Sequence, residues 1–307
     1  MLRRLGVYFV EMFPPWVMLP MSAVHFLSVE LGLQALAGRE PLRLSWRSAV
    51  GSVAILLFSL LLRVQDELKD YETDLRLARS GDPRYAKRPL VTGRVLPSDL
   101  VSLRYFAFAG AIGASAALGQ EALVACGGVM AVIVASLYWF FYPKMSMNLL
   151  LAFATHNPIG ALVSAWAIAA CVPESGKPTA WAGLLVLGLW LPVAAWEIAR
   201  KVRLPQDETD YTTYSKILGW KAAGILPAIL VLLSAGALGA FAVEAGAHFA
   251  YYPLLGGAAF VPIACCLAFV LAPTSGRANL RPATELYGAL AGAGLVGALA
   301  LRHGVVA

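Results

Sequence analysis

The chain has 307 residues, 59% of them hydrophobic and 14% charged, with a mean hydropathy of +0.70 and a formal net charge of +6. Soluble domains carry about a quarter charged residues and seldom more than about half apolar ones, so the composition excludes an ordinary soluble globule. The basic excess does not mark a nucleic-acid binder, because no soluble basic domain is present to carry that role.

Taken in chain order, Arg3 and Arg4 precede an apolar stretch that is too long and begins too late for a cleavable signal. Residues 5–14, ahead of Pro14-Pro15, predict a short interfacial helix. Nine apolar runs follow, near 15–37, 48–65, 101–119, 121–142, 148–171, 179–197, 221–243, 248–272 and 286–302. Each is long enough to cross a bilayer as a helix, which satisfies its backbone polar groups internally. Only Gly119-Gln120 separates the third run from the fourth, so these two read as a tight hairpin.

Polar residues inside the runs are few. His25 and Glu30 lie in the first, with Glu30 toward its outer end, and His156-Asn157-Pro158 lies in the fifth. Such groups face another helix or a cavity. Tyr138, Trp139, Phe140, Phe141, Tyr142 and Trp196 gather at the ends of the fourth and sixth runs. They fit an interfacial aromatic belt or a lining that stabilises a cation. Cys126, Cys171, Cys265 and Cys266 sit in or at the ends of runs, without metal-binding spacing, and read as small apolar packing residues.

With nine spans, the N-terminus and the loops after spans two, four, six and eight share one face. That face holds nineteen of the 24 Lys and Arg. The positive-inside rule makes it cytoplasmic. The expected architecture is an all-α, multi-pass integral membrane protein. It has one polytopic domain over 1–307, about nine transmembrane helices around a central cavity, and a cytoplasmic N-terminus.

Two loops on the basic face stand apart, loop A over 63–99 and loop B over 197–221. They lie four spans apart, so their flanking helices run in the same direction. This is the mark of a parallel internal duplication and sets the loops opposite one another over one cavity. In loop A, Asp66, Asp70 and Asp74 are spaced i, i+4, i+8, with Glu67 beside them. If span two continues as a helix, these carboxylates share a face. Like charges so close call for a cation, and all-oxygen ligands suit Mg²⁺, which takes one or two carboxylates together with water and phosphate. Arg84, Lys87, Arg88 and Arg94 follow. Carboxylates followed by a basic cluster point to a metal and a polyanion together.

DELKDYETD over 66–74, followed by Arg88-Pro89-Leu90 and Gly93, resembles the first motif of the UbiA superfamily of intramembrane prenyltransferases. That motif is written NDxxDxxxD, then Arg-Pro-Leu and a Gly. Asp66 stands for the usual Asn and Glu67 for the usual second Asp, and both keep oxygen donors. Nine spans and a Tyr142-Pro143-Lys144 segment closing span four extend the likeness. The second motif of that family, DxxxD, is absent. Loop B offers Glu197, Asp207, Glu208 and Asp210 instead, with Asp207 and Asp210 spaced to share a helix face.

The resemblance implies Mg²⁺-dependent transfer of a prenyl group from an isoprenoid diphosphate to a lipophilic or aromatic acceptor within the bilayer. It implies metal binding by Asp66, Glu67, Asp70 and Asp74, with Asp207, Glu208 and Asp210 as candidates for a second metal. Diphosphate contacts fall to Arg88 and Lys144, then Arg63 and Arg200. Arginine grips phosphate with two donors, which favours Arg88 and Arg200 over Lys201. No acceptor-activating base is identified. A terpene cyclase or a phosphoribosyl-transferring relative would use the same fold. A transporter would place its ionisable groups near the bilayer midplane instead.

Overall fold

A computed structural model describes residues 1–81, 83–138, 148–176, 179–209 and 212–307. Lys144, Asp210 and the aromatic residues from Trp139 to Tyr142 lie outside them. Among the described residues, eight helices are long and apolar enough to cross a membrane, and one further apolar helix is shorter. The chain is a multi-pass, all-α membrane protein.

Helix α1 (Leu2–Glu11) precedes Pro14-Pro15, and Pro15 opens α2 (Pro15–Leu36) at a position where its missing N–H costs nothing. A two-residue strand β1 (Leu42–Arg43) leads to α3 (Trp46–Arg79), whose N-terminus is closed by a Ser45/Ser48 capping box. Helix α4 (Pro83–Ala86) is a single turn. Helices α5 (Pro97–Leu118) and α6 (Gln120–Leu137) form the hairpin around Gly119, whose φ of +127° favours glycine.

The fifth span is broken into α7 (Leu149–His156) and α8 (Ile159–Ser175). Pro158 lacks the N–H that would continue the ladder. Trp190 Nε1 donates to the Asn157 carbonyl at 3.0 Å and to its side-chain oxygen at 2.8 Å, so the break is held by a neighbouring helix. Then come α9 (Trp181–Ala199), a 3-10 turn at Pro205–Asp207, α10 (Tyr214–Leu218), α11 (Trp220–Glu244), α12 (Tyr251–Leu271), α13 (Arg281–His303) and strand β2 (Val305–Val306).

Successive spans pack side by side, α2 on α3, α3 on α5, and onward through α6, α8, α9, α11 and α12 to α13, which closes against α2. Small residues let the helices approach. A Cβ on Gly51 would lie 2.1 Å from the Phe26 ring, and one on Gly188 would lie 2.5 Å from Leu238. Trp166 is fully buried against Phe58 and Phe26, and its Nε1 donates to Ser115 Oγ at 3.1 Å. Glu30, in the last third of α2, is buried.

Side-chain contacts sort the two ends of the bundle. Arg4 of α1 pairs with Asp99 at the start of α5, and Glu11 pairs with Arg94, so the N-terminus and loop A share one end. At the other end, β1 pairs in parallel with β2 and His303 meets Glu40 at 2.8 Å. Arg47 donates there to the Leu118 and Ala170 carbonyls, which end α5 and approach the end of α8. Helix α13 runs parallel to α2, since both end at the β1–β2 pair, so its N-terminus, which touches Trp196 at the root of loop B, lies at the loop A end.

Candidate active site

Helix α3 has 34 residues. At 1.5 Å per residue it is about 50 Å long, against a hydrocarbon core of about 30 Å. The first twenty residues therefore span, and the last turns stand beyond the membrane edge as one unbroken helix. At about 100° per residue, Asp66, Asp70, Arg63, Asp74 and Glu67 fall in that angular order within an arc of about 100°. Burial follows the same order across the three that pair. The Asp66 side chain is 60% exposed, Asp74 is 7% and Glu67 is 3%. The motif is thus a stripe that runs from solvent into the protein.

Each end of the stripe has a cationic partner. Lys69 meets Asp66 at 3.1 Å, Arg63 meets Glu67 at 2.5 Å, and Arg88 pairs with Asp74. The RPLxxG segment presents that last arginine. Leu90 is buried and anchors the turn, and Gly93, at φ +71°, turns the chain. The Arg88 guanidinium lies 4.6 Å over the Tyr85 ring. Burial pushes the Asp70 carboxyl up to about 6, with Asp66 and Asp74 adding to the shift and Lys69 opposing it. Burial also raises Glu67 and Asp74, against the pull of Arg63 and Arg88.

Sequence reasoning passed over Tyr8. It is buried, and its hydroxyl lies beside Arg63 and near Glu67, short of a well-formed hydrogen bond. Its signal was present, because Arg4, Tyr8 and Glu11 are spaced i, i+4, i+7 and form a polar stripe on α1. His156, at the break of the fifth span, is close enough to Asp66 and Lys69 to feel their charges.

Loop B is arranged differently from expectation. Asp207 ends a single 3-10 turn and Glu208 is extended, while Asp210 lies outside the described residues. Pro205 opens that turn without an N–H to donate. Glu208 Oε1 accepts from Thr213 Oγ1 at 2.6 Å, while its buried Oε2 has no hydrogen-bond partner among the described residues. Glu197 is engaged by Arg200 at 2.6 Å and Lys201 at 2.9 Å.

No three acidic, His or Cys side chains converge on a metal-sized point among the described residues. The donor set still fits Mg²⁺, because that ion binds through one or two carboxylates and fills its shell with water and phosphate oxygens. The orphaned Glu208 oxygen is an acceptor of the kind such an ion satisfies.

No family model and no curated protein matches the sequence. Solved structures do match. The apo structure of a UbiA homologue from Aeropyrum pernix K1 superposes with a TM-score of 0.65 at 19% identity, covering 91% of this chain and 97% of that one. The chain has the UbiA fold. A digeranylgeranylglyceryl phosphate synthase superposes at 0.64 with 12% identity, covering 96% of this chain and 98% of that one. Near-complete coverage of both chains makes the likeness one of the bundle as a whole.

Proposed function

We propose that the protein is an intramembrane prenyltransferase, moving a prenyl group from an isoprenoid diphosphate to a lipophilic or aromatic acceptor. The observation that carries this reading is the α3 stripe of carboxylates at the membrane edge, interleaved with Arg63 and Arg88, on a UbiA fold. The solved structure of a digeranylgeranylglyceryl phosphate synthase with this fold supports it. The basic face, with both loops, is the cytoplasmic one.

Asp66, Glu67, Asp70 and Asp74 would hold Mg²⁺, with Asp207, Glu208 and Asp210 available to a second ion. Bound Mg²⁺ would neutralise charge on the diphosphate as it leaves. Arg63 and Arg88 now rest on Glu67 and Asp74. They would exchange these carboxylates for diphosphate oxygens, with Lys144 and Arg200 as further contacts, so the charge growing on the leaving group meets fixed cations. The apolar bundle keeps water from the allylic centre while the acceptor attacks C1 of the chain. The isoprenoid tail stays in lipid, which avoids a cost of about 0.8 kcal/mol for each CH₂ exposed to water.

Membranes containing the protein, given labelled prenyl diphosphates and a panel of aromatic and lipid acceptors, should form prenylated product only with Mg²⁺. Asp66→Ala and Asp70→Ala should each lower turnover by about two orders of magnitude or more while the protein remains folded in the membrane. Full activity in excess EDTA, or in both variants, would overturn the metal assignment. Prenyl products formed without added acceptor would indicate cyclisation instead.

A further inference from the structure

A cleft of about 540 Å³ lies between loop B and the turn joining α12 to α13, at the same end of the bundle as loop A. Arg200, Arg203 and Arg281 line it, with Ser275 and Asn279 as neutral polar groups and Asp207 as the one carboxylate of the described lining. No described residue of loop A reaches it. The three arginines come from separate elements, the end of α9, loop B and the first residue of α13, so the fold brings their charges together across the cleft.

Two of these guanidiniums are held over one indole ring, and the third, that of Arg203, donates to Thr209 Oγ1 at 3.2 Å. Arg200 and Arg281 both lie over the Trp196 indole, at 5.1 and 5.7 Å from its centre. Each is tethered through Nε, Arg200 to Glu197 at 2.6 Å and Arg281 to Glu285 at 2.7 Å. Glu285 also accepts from Trp196 Nε1 at 2.8 Å, which fixes the indole between them. Arg203 is set by its own N–H, which donates to Ser215 Oγ at 2.7 Å. The first turn of α13 has no side-chain cap, and a helix N-terminus adds positive potential. Glu197 is shared between Arg200 and Lys201, so the carboxylates of Glu197, Glu285 and Asp207 leave the cleft and its rim with a cation in excess, which an anion with several oxygens can meet. Planar guanidinium forks match phosphate oxygens two at a time.

We infer that this cleft binds a phosphate group, as a second anion site separate from the carboxylate stripe of α3. The phosphate belongs either to the headgroup of an anionic lipid at the membrane edge or to a soluble phosphate. The inference shares Arg200 and Asp207 with the transfer reading but needs neither Mg²⁺ nor loop A, so a test made in EDTA fails or holds separately from that reading.

The test uses the purified full chain with EDTA present throughout, followed by thermal unfolding. One arm titrates inorganic phosphate in neutral detergent, with chloride at matched ionic strength as control. The other compares nanodiscs of phosphatidylcholine alone with nanodiscs that also contain phosphatidic acid. One of the two probes should raise the unfolding temperature in a saturable way. The Arg203→Gln/Arg281→Gln double variant should bind that probe about tenfold or more weakly. Asp207→Asn, which removes the opposing carboxylate, should bind it more tightly, a gain that misfolding cannot mimic. A response to phosphate assigns a soluble ligand, and a response to phosphatidic acid alone assigns a lipid headgroup. No saturable response to either probe, an equal response in the double variant, or weaker binding by Asp207→Asn would each overturn the inference.

Discussion

Asp70 sits in the middle of the α3 stripe, and its carboxyl is raised to about 6. Its ordinary value is about 4, so the folded protein favours the protonated form. The stabilisation from that proton is fully present below about pH 4 and is lost as pH rises through about 6. Mg²⁺ needs the ionised form, so its binding competes with the proton over the same interval. Without divalent cations the unfolding temperature should therefore fall between pH 4 and pH 7, through this group's contribution. Added Mg²⁺ should raise it more at pH 7.5 than at pH 5. Asp70→Asn should flatten the pH dependence and weaken the Mg²⁺ effect together. Thermal unfolding of the purified protein at the two pH values, with Mg²⁺ or EDTA, gives all three quantities. An equal Mg²⁺ response at both pH values would remove Asp70 from the site.

At the scale of elements, α1 reads as part of the site rather than a simple interfacial anchor. Arg4 clasps Asp99 with two bonds, at 2.6 and 2.9 Å, while Asp99 also accepts the Leu96 N–H that opens α5. Glu11 clasps Arg94, which in turn donates to the Lys87 carbonyl. Between the two clasps, Tyr8 lies against the Arg63–Glu67 pair. One helix thus pins both the end of loop A and the root of its motif. Paired substitution Arg4→Ala/Glu11→Ala should leave the protein in the membrane, lower transfer severalfold and open loop A to trypsin between Arg76 and Lys87. An unchanged cleavage rate would show that α1 does not restrain the loop.

What the sequence disclosed and what it withheld differ in kind at this scale. The i, i+4, i+8 spacing of Asp66, Asp70 and Asp74 was legible because α3 is a continuous helix, in which spacing alone fixes direction. The break at Asn157-Pro158 was not anticipated, because membrane helices tolerate proline and the Trp190 contact that holds the break is tertiary. Loop B was illegible because helix periodicity says nothing about a segment built from one 3-10 turn and extended residues. The clustering of Arg200, Arg203 and Arg281 joins residues some eighty positions apart through a tertiary contact that no local pattern carries.

For the whole molecule, the number of spans and the placement of charge make one joint claim about topology. Among the described residues, counting α7 and α8 as a single broken span and α6 as a short one would make nine crossings. An odd number puts the two termini on opposite sides. The contacts agree independently, since α1 is bound to loop A by Arg4 and Glu11, whereas β2 and His303 are bound to β1 and Glu40 at the far end. The basic end is the one that carries α1, loop A and loop B, and positive charge resists translocation. Single cysteines placed at Arg79 in loop A and at Gln206 in loop B, in a chain with Cys265 replaced, should react with an impermeant maleimide only in inverted membranes. One placed at Arg302 should react only from the outside of intact cells. Labelling of the Arg79 and Arg302 positions from the same side would mean an even number of crossings, with α6 or the α7–α8 pair failing to span. Labelling of the two loop positions from opposite sides would break the proposed site outright, since α3 and loop B could no longer face one substrate.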